Sequence, residues 1–146
     1  MLRRLWTESY VTFNGRWHTL DGVGLNRTPA EMIPIWLGGE HDDALRRATR
    51  LTDGFVSMHD PMRDVLRVIQ YVSELGRDPA QFRVTVRLAV SARGPDDWIG
   101  EARPLQSMGV TEIGVWTPNL QGDAALRRLT EVRRVLADAL PRTTAA

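Results

Sequence analysis

The sequence from Ile33 to Val56, IPIWLGGEHDDALRRATRLTDGFV, reads as strand, glycine turn, helix and strand. It opens with a short apolar run that two glycines end. Apolar residues then recur three or four positions apart, which predicts an amphipathic helix, and Asp53-Gly54 separates this helix from a second apolar run. Because so few residues separate the two runs, the pattern predicts a βαβ unit with parallel strands.

The Gly38-Gly39 turn of this unit has two interpretations. In the first, the glycines let the backbone approach a ligand closely, and the following helix presents free N–H groups to a phosphate. A side chain at residue 39 would then block the ligand. In the second, the turn is a tight connection, and Glu40, Asp42 and Asp43 cap the helix and repel an anion unless they turn away. The residues alone leave both interpretations open.

Composition excludes several classes of function. A length of 146 residues suits one domain, and a net charge of +1 gives no argument for a nucleic-acid partner. The absence of cysteine excludes disulfides, a thiol nucleophile and a cysteine metal site. No residues have metal-ligand spacing, so we predict no metal. No apolar run approaches membrane-spanning length, and we expect a cytoplasmic protein with no membrane partner.

The rest of the chain repeats the βα pattern. Residues 1–32 read as a helix end, a hairpin with a type I′ turn at Asn14-Gly15, and a loop. Residues 33–146 read as four βα units, with parallel strands at about 34–38, 54–57, 82–90 and 111–116. The fold class is therefore α/β. The pattern fits half of an eight-stranded barrel or a small doubly wound, flavodoxin-like sheet, and the strand order distinguishes them.

Several stretches resemble one family when they are taken together. They are VTFNGRWHTLDGVGLNRTP, PIWLGG, ALRRATRLTDGFV, ELGRDPAQFRVTV and GVTEIGVW, in this order. The chain resembles the luciferase-like monooxygenase family, and most of all its branch that uses the deazaflavin coenzyme F-420. The resemblance implies a partial TIM barrel, namely the C-terminal half: a hairpin followed by the last four βα units.

The resemblance also implies a cofactor site. In the family this turn and helix start hold the phosphate of a flavin or deazaflavin, so the cofactor expected here is F-420, with FMN as the alternative. One departure is that many members have serine where this chain has His41. The implied cofactor-binding residues are Gly38, Gly39, Glu40, His41 and Asp42.

Two further residues are candidates for binding a small-molecule substrate. His59 follows the second strand of the βαβ unit at the end that carries function in barrels, and Arg87 alternates with apolar strand residues so that it points into the barrel. Trp36 and Trp116 read as packing residues. The catalytic residues stay unknown, since in the family they come largely from the half-barrel that these four units do not include.

The implied function is hydride transfer to or from a deazaflavin, or monooxygenation of a small organic substrate. The alternative is a non-catalytic half-barrel that binds a phosphate-bearing ligand or assembles with another chain.

The open side of a half-barrel leads to an expectation about partners. Two sheet edges would lack neighbours, and each apolar side chain left in water would forgo roughly 1.5–3 kcal/mol. We therefore expect a homo-oligomer, or a partner that supplies the missing N-terminal half-barrel. The residues expected on the inner face or at the edges are Ile35, Leu37, Val86, Leu88, Ile113 and Val115.

Overall fold

The computed structural model describes residues 1–90, 94–110 and 112–140. The chain packs as two compact units, one up to Pro34 and one from Ile35 onward. No helix within the described residues has the length and apolar character needed to cross a bilayer.

The first unit contains a short helix and an antiparallel hairpin. Helix α1 is Leu2–Thr7, strand β1 is Val11–Asn14 and strand β2 is Thr19–Val23.

The predicted type I′ turn in this hairpin is wrong. Such a turn needs positive φ at both central residues, and neither Asn14 nor Gly15 has it. Residues 15–18 form the connection instead, closed by a 2.9 Å hydrogen bond from the Gly15 N–H to the His18 carbonyl. A Cβ at residue 15 would lie 2.4 Å from the Phe13 ring, so any larger residue there would have to displace that side chain.

The second unit is built on one parallel sheet. Its strands are β3 (Trp36–Gly38), β4 (Gly54–Ser57), β5 (Arg83–Ala89) and β6 (Glu112–Trp116). They lie side by side in the order of the sequence, and each pairs in parallel with the next. The sequential order confirms the partial barrel and excludes the doubly wound alternative.

The helices between and after these strands have identifiable ends. In α3 (Pro61–Glu74), Asp60 accepts a 3.1 Å hydrogen bond from the Arg63 N–H and Pro61 occupies the first helical position, a favoured arrangement. Gly76, at φ +67, follows the helix in a conformation that suits glycine. The helices are α2 (Asp42–Leu51), α3 (Pro61–Glu74), α4 (Pro95–Ser107) and α5 (Gly122–Ala139), with a 3₁₀ turn at Pro79–Gln81.

The helices pack on one face of the sheet and create two adjoining cores. The first joins β4 and β5 to α2 and α3 through Leu45, Phe55, Val65, Val68, Val84 and Val86, all at most 3% exposed. The second joins the far end of β5 to α4 and α5 through Leu88, Val90, Trp98 and Val132.

The expected inner face is wrong for Val86 and Leu88, whereas Leu37, Ile113 and Val115 do lie on the edge strands β3 and β6. Val86 and Leu88 are buried against helices, and Leu37, Ile113 and Val115 pack against the same cores. The physical reason is the two-residue period of a strand, because the face that meets the helices takes every second residue. The opposite face, which we call the open face, consists of Trp36, Gly38, Gly54, Val56, Arg83, Thr85, Arg87, Ala89, Glu112, Gly114 and Trp116.

Candidate functional site

The start of α2 presents free hydrogen-bond donors at the carboxyl edge of the sheet. His41 is the N-cap residue, its backbone is extended, and its exposed side chain makes no capping bond. Its carbonyl accepts from the N–H groups of Ala44 and Leu45 at 2.9 and 3.2 Å. The amides of Asp42 and Asp43 bond to no residue that the structure describes, so two N–H groups and the positive end of the helix dipole remain available to an anion.

The two glycines before this helix have a steric role within the chain. A Cβ at Gly39 would lie 2.4 Å from the Cβ of Ala44, and a Cβ at Gly38 would lie 3.2 Å from the Val56 carbonyl oxygen. Residue 39 therefore has to be glycine for the strand to turn tightly into its own helix. We expected a side chain at residue 39 to block the ligand. A substitution there does not test this expectation by itself, because the added side chain would also displace α2.

The acidic residues around the turn are engaged by other side chains. Oε1 of Glu40 lies 2.6 Å from Nε2 of His59. The carboxylate of Asp42 accepts from the Tyr71 hydroxyl at 2.6 Å and from the Arg67 guanidinium. The Tyr71 hydrogen bond, and then Arg67, hold the pKa of Asp42 below its usual range. Two of the three carboxylates that could repel a phosphate are thus paired with donors on or just before α3.

His59 and Arg63 reach the same turn from the loop and first turn after β4. His59 does so through Glu40, and the Nη1 of Arg63 lies 3.4 Å from the Glu40 carbonyl oxygen. The sequence pattern did not single out Arg63. The Asp60-Pro61 pair could have indicated it, because a cap followed by proline fixes the start of α3 and places residue 63 in its first turn.

Together these residues form one cluster, which we call the α2 site. Its members are Gly38, Gly39, Glu40, His41, the backbone of Asp42 and Asp43, His59 and Arg63. Free amides at a helix start, and a guanidinium that reaches the carbonyl of Glu40, are donors that suit a phosphate monoester or diester. The side chain of Asp42 serves the contact between α2 and α3, so its contribution to a ligand is its N–H group.

Arg87 lies elsewhere, on the open face as predicted. Its guanidinium carbon is 4.3 Å from the centre of the Trp116 ring, and Trp116 is 48% exposed. The expectation that Trp116 is a packing residue is therefore wrong. Trp36 is half-buried, and a Cβ at Gly54 would lie 2.9 Å from its indole ring, so that tryptophan does pack on the sheet.

A cleft of about 340 Å³ opens at the other end of the strands. We do not assign a binding site to this cleft, because its polar groups make hydrogen bonds that stabilise the fold. Arg77 donates to the carbonyls of Thr49 and Thr52 at the end of α2, and Asp53 accepts from the Ile35 N–H at 2.8 Å. Among the described residues, no three His, Asp or Glu side chains come together in a way that could hold a metal ion.

Comparison with known proteins identifies the family. A sequence model described as luciferase-like monooxygenase matches residues 1–136. The chain belongs to the luciferase-like monooxygenase family. The structure of an F420-dependent secondary alcohol dehydrogenase in complex with an F420-acetone adduct superimposes with a TM-score of 0.74 at 14% identity, over 92% of this chain and 58% of that one. This likeness supports the partial TIM barrel.

Curated relatives of this luciferase-like chain match parts of their length. An F420-dependent glucose-6-phosphate dehydrogenase of Nakamurella multipartita is 35% identical over 57 residues, which are 39% of this chain and 17% of that protein. An uncharacterized protein of Mycobacterium tuberculosis is 26% identical over 137 residues, which are 92% of this chain and 46% of that protein. The matched segments thus cover less than half of each of these curated relatives.

Proposed function

We propose that this chain forms the part of a luciferase-like oxidoreductase that binds the phosphate of a deazaflavin. The observation that carries the proposal is the α2 site: two free amides at the start of a helix, with Arg63 beside them and with the carboxylates of Glu40 and Asp42 engaged by other side chains. A phosphate there would accept from the amides and from the guanidinium.

The choice of F420 over FMN rests on the relatives. Two glucose-6-phosphate dehydrogenases and the structurally similar alcohol dehydrogenase are named as F420-dependent. When bound, a deazaflavin supplies hydride transfer. The residues of this chain would anchor its phosphate, orient it against the carboxyl edge of the sheet and keep the nearby carboxylates away from it. We propose an oxidation or reduction of a small organic molecule as the reaction, with its catalytic residues on strands outside β3–β6.

Those further strands form part of the same proposal. Outside its three internal pairings, the described sheet leaves one edge of β3 and one edge of β6 without a neighbouring strand. Unpaired edges readily accept another strand. We propose that they are covered in function by a further set of parallel strands, either an N-terminal half-barrel or a second copy of this chain.

The backbone donor can be tested by proline substitution. Asp42→Pro removes one N–H at the first helical position, where proline is tolerated, and the extended backbone of His41 suits the residue before a proline. Asp42→Ala is the matched control, because it loses the same carboxylate contacts and keeps the N–H. We expect the proline variant to bind deazaflavin about tenfold more weakly than the alanine variant, the value of one hydrogen bond to a charged group.

The guanidinium can be tested in the same fluorescence titration. Arg63→Gln should weaken deazaflavin binding about tenfold, as expected for loss of a charged donor. Arg50→Gln, at an exposed position of the same helical layer, should leave the affinity unchanged. Equal affinities for the Asp42→Pro and Asp42→Ala variants, together with an unaffected Arg63→Gln variant, would exclude the α2 site. Binding without turnover after addition of a complementary half-barrel would favour the non-catalytic alternative.

A further inference from the structure

The open face carries one cation without an acidic partner. Arg83 and Glu112 form an ion pair on this face, with Nη1 2.8 Å from Oε1. Arg87, two residues along β5 from Thr85 and on the same face, makes no ion pair or hydrogen bond with any residue that the structure describes. Its guanidinium stacks on Trp116, with the guanidinium carbon 4.3 Å from the ring centre. Because Glu112 is paired with Arg83, the positive charge of Arg87 at the carboxyl end of the open face is not balanced by a carboxylate on that face.

The strand geometry fixes where this pair points. Arg87 is opposite Gly114 and Ala89 is opposite Trp116 in the β5–β6 pairing. The partners of the two large side chains are therefore a glycine and an alanine, which leave the space beside them open. The guanidinium lies against one face of the indole, and Trp116 remains 48% exposed. Stacking on an aromatic ring holds a guanidinium flat and leaves its N–H edge directed at a ligand.

We propose that Arg87 and Trp116 together bind an anionic group, a carboxylate or a phosphate, of the substrate. The guanidinium fork would donate two hydrogen bonds to the anion, and the exposed indole would contact the apolar or planar part next to it. The assignment of this anion to the substrate rests on the proposed function. The binding of the anion itself does not.

The anion site is separate from the α2 site. It belongs to β5 and β6, whereas the α2 site belongs to the turn after β3 and the start of α3. In the proposed function the deazaflavin phosphate would lie at the α2 site and the anionic group of the substrate at Arg87, both along the carboxyl edge of the sheet. The two sites can therefore be tested with different probes and different variants.

The first experiment measures anion binding to the whole chain by nuclear magnetic resonance, with benzoate as the probe and benzyl alcohol as its uncharged counterpart. The indole N–H signal of Trp116 is assigned by its loss in Trp116→Phe. We expect benzoate to shift this signal with a saturable curve and benzyl alcohol to shift it at least tenfold more weakly. Arg87→Gln should reduce the benzoate affinity about tenfold, and Arg87→Lys should restore part of it.

Controls separate this site from the proposed function. Arg63→Gln, at the α2 site, and Arg50→Gln, on the surface, should leave the benzoate affinity unchanged. Inorganic phosphate as a second probe should show which anion the pair prefers. Equal affinities of Arg87→Gln and the parent chain for both probes would overturn the anion site. If benzoate binds at Arg87 while deazaflavin does not bind at all, the anion site stands and the proposed function fails.

Discussion

The hydroxyl of Tyr71 donates a 2.6 Å hydrogen bond to the carboxylate of Asp42, and so ties the last turn of α3 to the first turn of α2. The same carboxylate also accepts from Arg67, and Arg46 lies over the ring of Tyr71 at 4.0 Å. One contact therefore holds together two helices and keeps a negative charge engaged beside the proposed phosphate.

This contact predicts a pH dependence of stability. Since the Tyr71 hydroxyl lowers the pKa of Asp42 in the folded state, the contact stabilises the fold above the pKa of an unfolded aspartate, and the stabilisation is lost as the pH falls through the folded value. Tyr71→Phe should raise the pKa of Asp42 and reduce the loss of stability between neutral and acidic pH. A carbon-13 titration of the Asp42 carboxyl and denaturant unfolding at both pH values measure these changes. An unshifted titration curve in Tyr71→Phe would contradict the expectation.

Gly39 predicts a steric effect on stability. A methyl group there would meet the Cβ of Ala44 at 2.4 Å, and overpacking of this kind costs about 1–3 kcal/mol. We expect Gly39→Ala to be destabilised by this amount in urea unfolding, and Ala44→Gly in the same chain to recover part of it. The control is Gly100→Ala in α4, where a Cβ would meet no atom within 4 Å. That change should be neutral or stabilising by up to about 1 kcal/mol, because alanine favours a helix.

Ser57 and Asp64 form a buried polar pair under the loop that carries His59. The Ser57 hydroxyl donates to Oδ2 of Asp64 at 2.8 Å, and Oδ1 of this carboxylate has no partner among the described residues. Ser57→Ala removes the remaining side-chain donor to a group that is 2% exposed, so we expect a loss of about 1–3 kcal/mol of unfolding free energy.

The pair gives a double-mutant cycle as its control. Ser57→Ala combined with Asp64→Leu should cost less than the sum of the two single changes, because the unpaired carboxylate is then gone. Additive effects would show that the two groups do not stabilise each other.

The unpaired sheet edges predict self-association of the isolated chain. Sedimentation velocity at micromolar concentration should show a species larger than a monomer. Val56→Lys places a charge in the middle of the open face and should shift the distribution toward monomer, whereas Leu66→Lys, at a position 60% exposed on α3, should not. A monomer with a cooperative thermal transition would show that the chain needs no partner strands.

The sequence predicted the elements better than the faces. Helical periodicity and glycine turns located α2 to α5 and the four strands, because these signals are local. The sequential strand order followed only from the family resemblance. The face on which the β5 side chains lie was predicted inconsistently. Val86, Leu88 and Arg87 were all assigned to the inner face, although neighbouring residues of a strand point to opposite faces. Helices pack on Val86, which places Arg87 on the opposite, open face. This packing is a tertiary contact that local sequence patterns do not show.

Prediction of the candidate site from the sequence has the same limit. The turn at Gly38 and the free start of α2 follow from residues close in the chain. The pairing of Glu40 with His59, and the approach of Arg63 to the Glu40 carbonyl, depend on how α3 lies beside α2. The local sequence places Arg63 in the first turn of α3 but does not specify how α3 lies beside α2. The approach of Arg63 to Glu40 and the pairing of the carboxylates therefore could not be predicted.

The sequential sheet order also bears on how the chain acquires its structure during synthesis. Within the parallel sheet, β4, β5 and β6 each pair with the strand made just before them, so each of these pairings closes only one βα loop and keeps the contact order low for a parallel sheet. A ribosome releases the chain from the N-terminus. Each βα unit can therefore dock on the preceding one as it emerges, and the growing edge of the sheet stays ready for the next strand until β6 leaves the exit tunnel.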